Sequence, residues 1–222
     1  MEHPVLFSTL AGVPDAYKHV FYTWMAIIIL AIIGLLARRK MSLVPTGAQN
    51  VMEFIVGSLE DYTIANMGEK GRKLAVPFLI GMFLFILIQN WIGLLPGCDA
   101  PTANLNTTMA LALCTFFYYN LVGFMTWGIG YLKHFAGPMM GMAPLIFPIE
   151  IISHCSRPIS LTLRLFGNIR GEEIVILLFF VVAPIAGTLP VYALFTLAKF
   201  MQAFIFYMLT MLYLNGALDH AH

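Results

Sequence analysis

Long intervals without Asp, Glu, Lys or Arg constrain this chain more than any other feature. Lys18 to Arg38, Lys73 to Asp99, Asp99 to Lys133, Glu173 to Lys199 and Lys199 to Asp219 each enclose an uncharged run. Each run provides the ~20 residues a helix needs to cross the hydrocarbon core of a bilayer. The composition agrees, with 60% hydrophobic and 10% charged side chains against about 45–50% and about 25% in soluble domains. An ordinary cytosolic domain is excluded. The expected fold is an all-α polytopic membrane protein with about five membrane-embedded helices and one amphipathic surface helix. Membrane lipids are its surroundings, and a net charge of +1 points to no nucleic-acid partner and no acidic substrate.

The positive charges orient the chain. Residues 1–17 contain no Lys or Arg, so they lack the basic region of a cleaved signal peptide and read as an outside tail. Arg38, Arg39 and Lys40 follow the first apolar run, and Lys70, Arg72 and Lys73 precede the second. The positive-inside rule puts that 38–73 loop in the cytoplasm, whereas the opposite loop, 97–106, has no basic residue. The whole chain, 1–222, then reads as one membrane domain. An outside tail (1–18) leads to a first span at 20–37, anchored at the interface by Tyr22 and Trp24. A surface helix at 46–66 is opened by a capping box at Thr46-Gly47-Ala48-Gln49. Spans at 74–96 and 106–132 follow, then a charged, tilted helix with its apolar continuation (144–188), and a final helix (190–216) completing a hairpin.

No metal or cofactor site is expected. Cys98, Cys114 and Cys155 lack ligand spacing and read as small buried hydrophobes. His3, His19, His134, His154, His220 and His222 are scattered, which speaks against a haem-carrying subunit.

The segment from Pro148 to Glu173 carries more charge than a lipid-facing helix tolerates. At about 100° per residue, Glu150, Ser153, Arg157, Ser160, Arg164 and Asn168 fall within an arc of roughly 80°, with Glu172 about 40° beyond. Ile151, Ile152, Ile159, Leu161, Leu163, Leu165 and Phe166 cover most of the rest. Plain readings exist for several members. Arg157 and Arg170 reach water or pair with Glu150 and Glu173, and Ser153 and Ser160 serve as small packing residues. Gln89 and Asn90, on the second long span, serve as interhelical hydrogen-bonding groups. The plain reading suits Arg164 least, because its neighbours are apolar and a charge near the bilayer centre costs at least about 2.5–3.5 kcal/mol. An arginine does not lose its proton, so Arg164 suits a fixed electrostatic barrier. On the last helix Phe195, Lys199, Gln202, Phe206 and Tyr213 share a side, which brings Gln202 within expected hydrogen-bonding reach of Arg164. The stripe alone leaves open a self-contained ion or metabolite transporter, although no internal repeat is found, and, less readily, a quinone- or haem-binding electron-transfer subunit.

Ser160-Leu161-Thr162-Leu163-Arg164-Leu165-Phe166-Gly167-Asn168, with Gln202-Ala203-Phe204-Ile205-Phe206 downstream, closely resembles the signature of subunit a of the rotary F-type ATP synthase. Gln89-Asn90-Trp91-Ile92-Gly93-Leu94-Leu95-Pro96 and Thr102-Ala103-Asn104-Leu105-Asn106-Thr107-Thr108 resemble further family segments in family order. The resemblance implies a non-catalytic stator subunit with two offset aqueous half-channels beside a ring of c subunits. Its further implied partners are b-type peripheral-stalk subunits and the remaining ATP synthase subunits, which carry the ATP chemistry, and its implied location is a bacterial plasma membrane. Arg164 would face the ring's ion-binding carboxylate. Glu173, Asn168 and Gln202 would serve the outer half-channel, and Glu150, Ser153 and Ser160 the cytoplasmic one. The chain has Asn104 where some members have aspartate, and Phe195 at a polar histidine position. Glu172 and Lys199, both unusual in apolar surroundings, are expected to supply the missing polarity.

Overall fold

The computed structural model describes residues 7–10, 12–38, 47–95, 97–128, 143–183 and 187–218. The basic pair Arg39 and Lys40, Thr46, Pro96, residues 129–142, and the side chains of Lys70 and Arg72 lie outside the described residues. Regular structure among the described residues is helical: α1 (Phe7–Leu10), α2 (Lys18–Arg38), α3 (Ala48–Ile92), α4 (Leu105–Trp127), α5 (Ala143–Val182) and α6 (Thr188–Leu218), with 3-10 turns at Asp15–Tyr17 and Pro101–Ala103. Among these residues, Asp15–Arg38, Lys73–Ile92, Leu105–Trp127 and Thr188–Leu218 are long and apolar enough to cross a membrane. The chain is an all-α, multi-pass membrane protein.

Length separates the helices into two kinds. The 21 residues of α2 extend about 31 Å at 1.5 Å per residue, matching a hydrocarbon core of about 30 Å. The 40 residues of α5 extend about 60 Å, twice what a perpendicular crossing requires. α3 solves its 45-residue length differently, with a break at Gly68, where φ 67° and ψ −176° leave the helical region. That positive φ is adopted readily only without a Cβ. The arm before Gly68 is the amphipathic segment. Leu59 on it is buried and packs with Ile55 and Tyr62 against the core, whereas Val51 is exposed. Its start is not a capping box: Gly47 is the N-cap with no side-chain cap bond, and Gln49 Nε2 instead donates to Glu53 Oε1 at 2.6 Å.

The core is a seam of four helices. Ala75, Leu79, Phe83 and Ile86 of α3 meet Leu111, Ala112 and Tyr119 of α4, Leu161, Leu165 and Ile169 of α5, and Ala203, Phe206, Tyr207 and Leu214 of α6. α3 packs chiefly on α6, and α4 on α5. The first arm of α3 is pinned to α6 where the Tyr207 hydroxyl meets Thr63 Oγ1 at 2.6 Å and donates to the Leu59 carbonyl at 2.8 Å. In a membrane such groups have no water to fall back on, so internal pairing is obligatory.

α2 stands at the margin, with Trp24, Ile28, Ile32 and Leu35 exposed. Its attachment corrects one expectation. Tyr22 is not an interfacial anchor; it is fully buried. Its hydroxyl donates to the Gly97 carbonyl at 3.1 Å and accepts from the Ser8 N–H at 3.3 Å. Tyrosine serves the interface and the interior equally well, because one end is apolar and the other polar. The cysteines also differ from expectation: Cys114 and Cys155 are exposed on outward faces of α4 and α5, and Cys98 is half-buried.

Gly93 closes α3 where the chain doubles back. A Cβ there would stand 2.6 Å from the Ala100 Cβ and 3.0 Å from its backbone nitrogen, whereas one at Gly81 would meet nothing within 4 Å. Gly93→Ala is therefore expected to destabilise the protein by about 1–3 kcal/mol, and Gly81→Ala to be neutral or mildly stabilising. Thermal unfolding of the detergent-purified protein checks both, and equal midpoints for the two variants would contradict the close approach.

Candidate functional site

The α5 polar stripe runs along the edge of the helix's buried side. Taking Glu150 as zero on the helical wheel, the buried Leu161, Leu165 and Ile169 centre near roughly 60°. Ser160, Ser153 and Arg164 lie on the far side of the stripe and are exposed, Glu150 and Arg157 are half-buried, and Glu172 is buried. The extra rotation of about 40° carries Glu172 off the open face and into the α5–α6 seam.

There it meets Lys199. Lys199 Nζ lies 3.5 Å from Glu172 Oε2, with side chains only 3% and 8% exposed. The Lys199 carbonyl accepts from Asn90 Nδ2 at 3.3 Å, and Asn90 Oδ1 accepts from Thr102 Oγ1 at 2.7 Å. Polar contacts thus run from the turn between α3 and α4, through Asn90, to the α6 backbone at Lys199, the residue whose side chain meets Glu172. Glu172 Oε2 itself makes no hydrogen bond among the described residues. One α-turn from Arg164, Asn168 Nδ2 donates to Gln202 Oε1. Gln202 is therefore held by Asn168 and not, as expected from the helical wheel, by Arg164.

Arg164 is exposed and forms no hydrogen bond or ion pair with the described residues. Its open face continues through Leu163 and Gly167, so no other part of the described chain covers it. The other basic residues of α5 are engaged. Arg170 Nη1 donates to Glu173 Oε2 at 2.8 Å. Arg157 does not pair with Glu150; its guanidinium lies over the rings of Tyr119 and Tyr213, 5.9 and 5.1 Å from their centroids, as a weakly hydrated planar cation favours.

The remaining candidates lie apart. Asn104 is the N-cap of α4, and its Oδ1 accepts from the Asn106 N–H at 2.9 Å. Gln89 is fully buried, and neither side-chain amide atom has a hydrogen-bond partner among the described residues. Sequence reasoning missed His154, which is buried on α5 with Nδ1 3.1 Å from the Tyr119 hydroxyl and Nε2 3.9 Å from Glu150 Oε1. The i, i+4 spacing to Glu150 was the available signal. No group of three or more His, Cys, Asp or Glu among the described residues is arranged to hold a metal ion.

Removing one member of a buried pair leaves the other charge uncompensated, at a cost of about 3–5 kcal/mol. Glu172→Leu and Lys199→Leu are each expected to lower the thermal stability of the detergent-purified protein by that order. The double replacement is expected to recover most of the loss. Additive losses would show that the two side chains do not interact.

A family model described as the ATP synthase A chain matches residues 20–215. ATP synthase subunit a of Nitratidesulfovibrio vulgaris strain DP4 is 60% identical over 230 aligned residues, covering 100% of this chain and 98% of that protein. The subunit a of Oleidesulfovibrio alaskensis strain G20 is 54% identical with the same coverage. ATP synthase subunit a 1 of Pelobacter propionicus is 47% identical over the full length of both chains. With four apolar crossing helices, a charged fifth and matches that run from end to end, the chain belongs to the ATP synthase A chain family.

Proposed function

We propose that this protein is the proton-translocating stator subunit of an F-type ATP synthase. Two offset half-channels pass protons to and from carboxylates on a ring of c subunits, and this flow is coupled to ring rotation and ATP synthesis by the other subunits. One observation carries the reading: Arg164 is a permanent charge on a helix whose neighbouring residues are mostly apolar, exposed on a face that the described chain leaves open. Such a charge needs a partner, and a ring carboxylate passing that face supplies one. Facing Arg164, the carboxyl group is favoured in its ionised form and releases its proton. Because the guanidinium keeps its own proton, it also blocks direct passage between the half-channels.

Glu172, Lys199, Asn168, Gln202 and Glu173, on the side of α5 beyond Arg164 toward Val182, form the outer half-channel with Asn104. Asn90 extends it toward Thr102, and Gln89 adds buried polarity to the same helix. Glu150, Ser153 and Ser160, on the other side of Arg164, form the cytoplasmic half-channel. The lengths of α5 and α6 suit helices tilted along the ring. The remaining partners are the b-type peripheral-stalk subunits, the other ATP synthase subunits and membrane lipids. In a bacterial plasma membrane, the basic residues flanking α2 and the second arm of α3 favour an outside N-terminus and a cytoplasmic C-terminus.

Arg164→Ala is expected to abolish ATP-driven proton pumping in inverted membrane vesicles while the complex still assembles. Normal pumping would overturn the proposal. The Glu172→Leu/Lys199→Leu double variant, with its stability recovered, is expected to pump poorly because the outer path has lost its polar lining. Unchanged pumping would remove the pair from that path.

A further inference from the structure

His154, with Tyr119, Tyr213 and Arg157 around it, forms a group of titratable side chains that the proposed pathway leaves without a role. His154 is 5% exposed. Its imidazole bridges two helices: Nδ1 lies 3.1 Å from the Tyr119 hydroxyl on α4, and Nε2 faces Glu150 Oε1 at 3.9 Å on its own helix. Among the described residues, the groups facing this site include Tyr119 on α4, Tyr213 on α6, whose ring lies 6.0 Å from that of Tyr119, and Glu150 and Arg157 on α5. Arg157 is held over both tyrosine rings, so a fixed positive charge stands beside a group able to become positive. Glu150 is 28% exposed in its side chain and His154 only 6%. The carboxylate is therefore the more accessible member of the pair.

We propose that His154 is a positioning residue for Glu150, tying the charge state of Glu150 to its own protonation and making proton passage at this end of α5 sensitive to cytoplasmic pH. The inference rests on Glu150 belonging to the cytoplasmic half-channel, as proposed above. Two ring nitrogens make the coupling possible. The partner of one nitrogen of a neutral imidazole decides which nitrogen carries the proton. When the Tyr119 hydroxyl donates to Nδ1, the proton sits on Nε2 and points toward Glu150. When Tyr119 accepts from Nδ1–H, Nε2 offers a lone pair to a protonated Glu150 carboxyl. A rotation of the Glu150 side chain that closes the 3.9 Å separation lets a proton pass from that carboxyl to Nε2, turning a neutral acid and neutral base into a carboxylate and an imidazolium. Its return to the carboxyl restores the neutral pair; release from the carboxyl to water then leaves a carboxylate beside a neutral imidazole, and the next proton taken up by that carboxylate re-forms the starting pair.

The test uses inverted vesicles carrying the whole ATP synthase, whose outer buffer bathes the cytoplasmic face. ATP-driven pumping is recorded from about pH 5 to pH 8, where an ordinary imidazole changes charge. His154→Gln, which keeps hydrogen-bonding capacity but does not titrate, is expected to lose the inflection that the unaltered protein shows in that window. Tyr119→Phe, which retains the ring beneath Arg157, is expected to displace the same inflection, and it decides the question if His154→Gln fails to assemble. A profile like that of the unaltered protein in both variants would overturn the inference; slowed pumping in Glu150→Gln would then leave the proposed function standing. Undiminished pumping by Glu150→Gln would remove Glu150 from the pathway and this inference with it.

Discussion

A charge placed in hydrocarbon must find a counter-charge, a ring face, water or another protein, and α5 is organised by how each of its charges meets that demand. Glu172 turns inward to Lys199, Arg170 takes Glu173 within its own helix, and Arg157 lies on two tyrosine rings. Arg164 has none of these solutions within the described chain. The contrast with its neighbours is what sets this one apart: Arg157 and Arg170 are engaged within the chain, and Arg164 is not engaged by any described residue.

The apolar seam holds the charges in register. Leu161, Leu165 and Ile169 are buried against the other helices, so the rotation of α5 about its axis is set by packing, and the stripe falls at the rim of the contact. Members on one side of the rim face outward and those on the other face inward. A one-residue slip would turn the helix by about 100°, burying Arg164 and exposing Glu172. Small rotations therefore carry large electrostatic consequences, and the dense packing of α3, α4 and α6 resists them. Polar links elsewhere tie the first arm of α3 to α6 at Thr63–Tyr207, and α2 to the turn after α3 at Tyr22–Gly97. They join segments far apart in sequence, where a broken hydrogen bond has no water to replace it.

Much of the fold was legible in the chain itself. Four of the five uncharged intervals fall on helices long and apolar enough to cross, because length and apolarity are local properties, whereas the interval from Glu173 to Lys199 holds the end of α5 and the start of α6. The angular spacing of Glu150 to Asn168 identified the stripe because helical periodicity is local too. Partner choice was less legible. Gln202 was expected at Arg164 and instead binds Asn168; the difference is one helical turn, about 5.4 Å, in the axial offset of two helices, which no periodicity encodes. Tyr22 reads the same whether it faces a headgroup or a buried carbonyl, and His154 looked isolated until α4 brought Tyr119 beside it.

By itself, then, the sequence determined a helical membrane protein with one over-charged helix and Arg164 as its most costly residue, because burial cost and helical spacing are properties of single segments. Only the tertiary structure decided that Glu172 and Lys199 form a buried pair, that Asn90 joins the α6 backbone at Lys199 to Thr102, and that Arg164 stays open among the described residues. Those outcomes depend on the relative rotation and axial shift of packed helices, which are set by how all the side chains of the seam fit together.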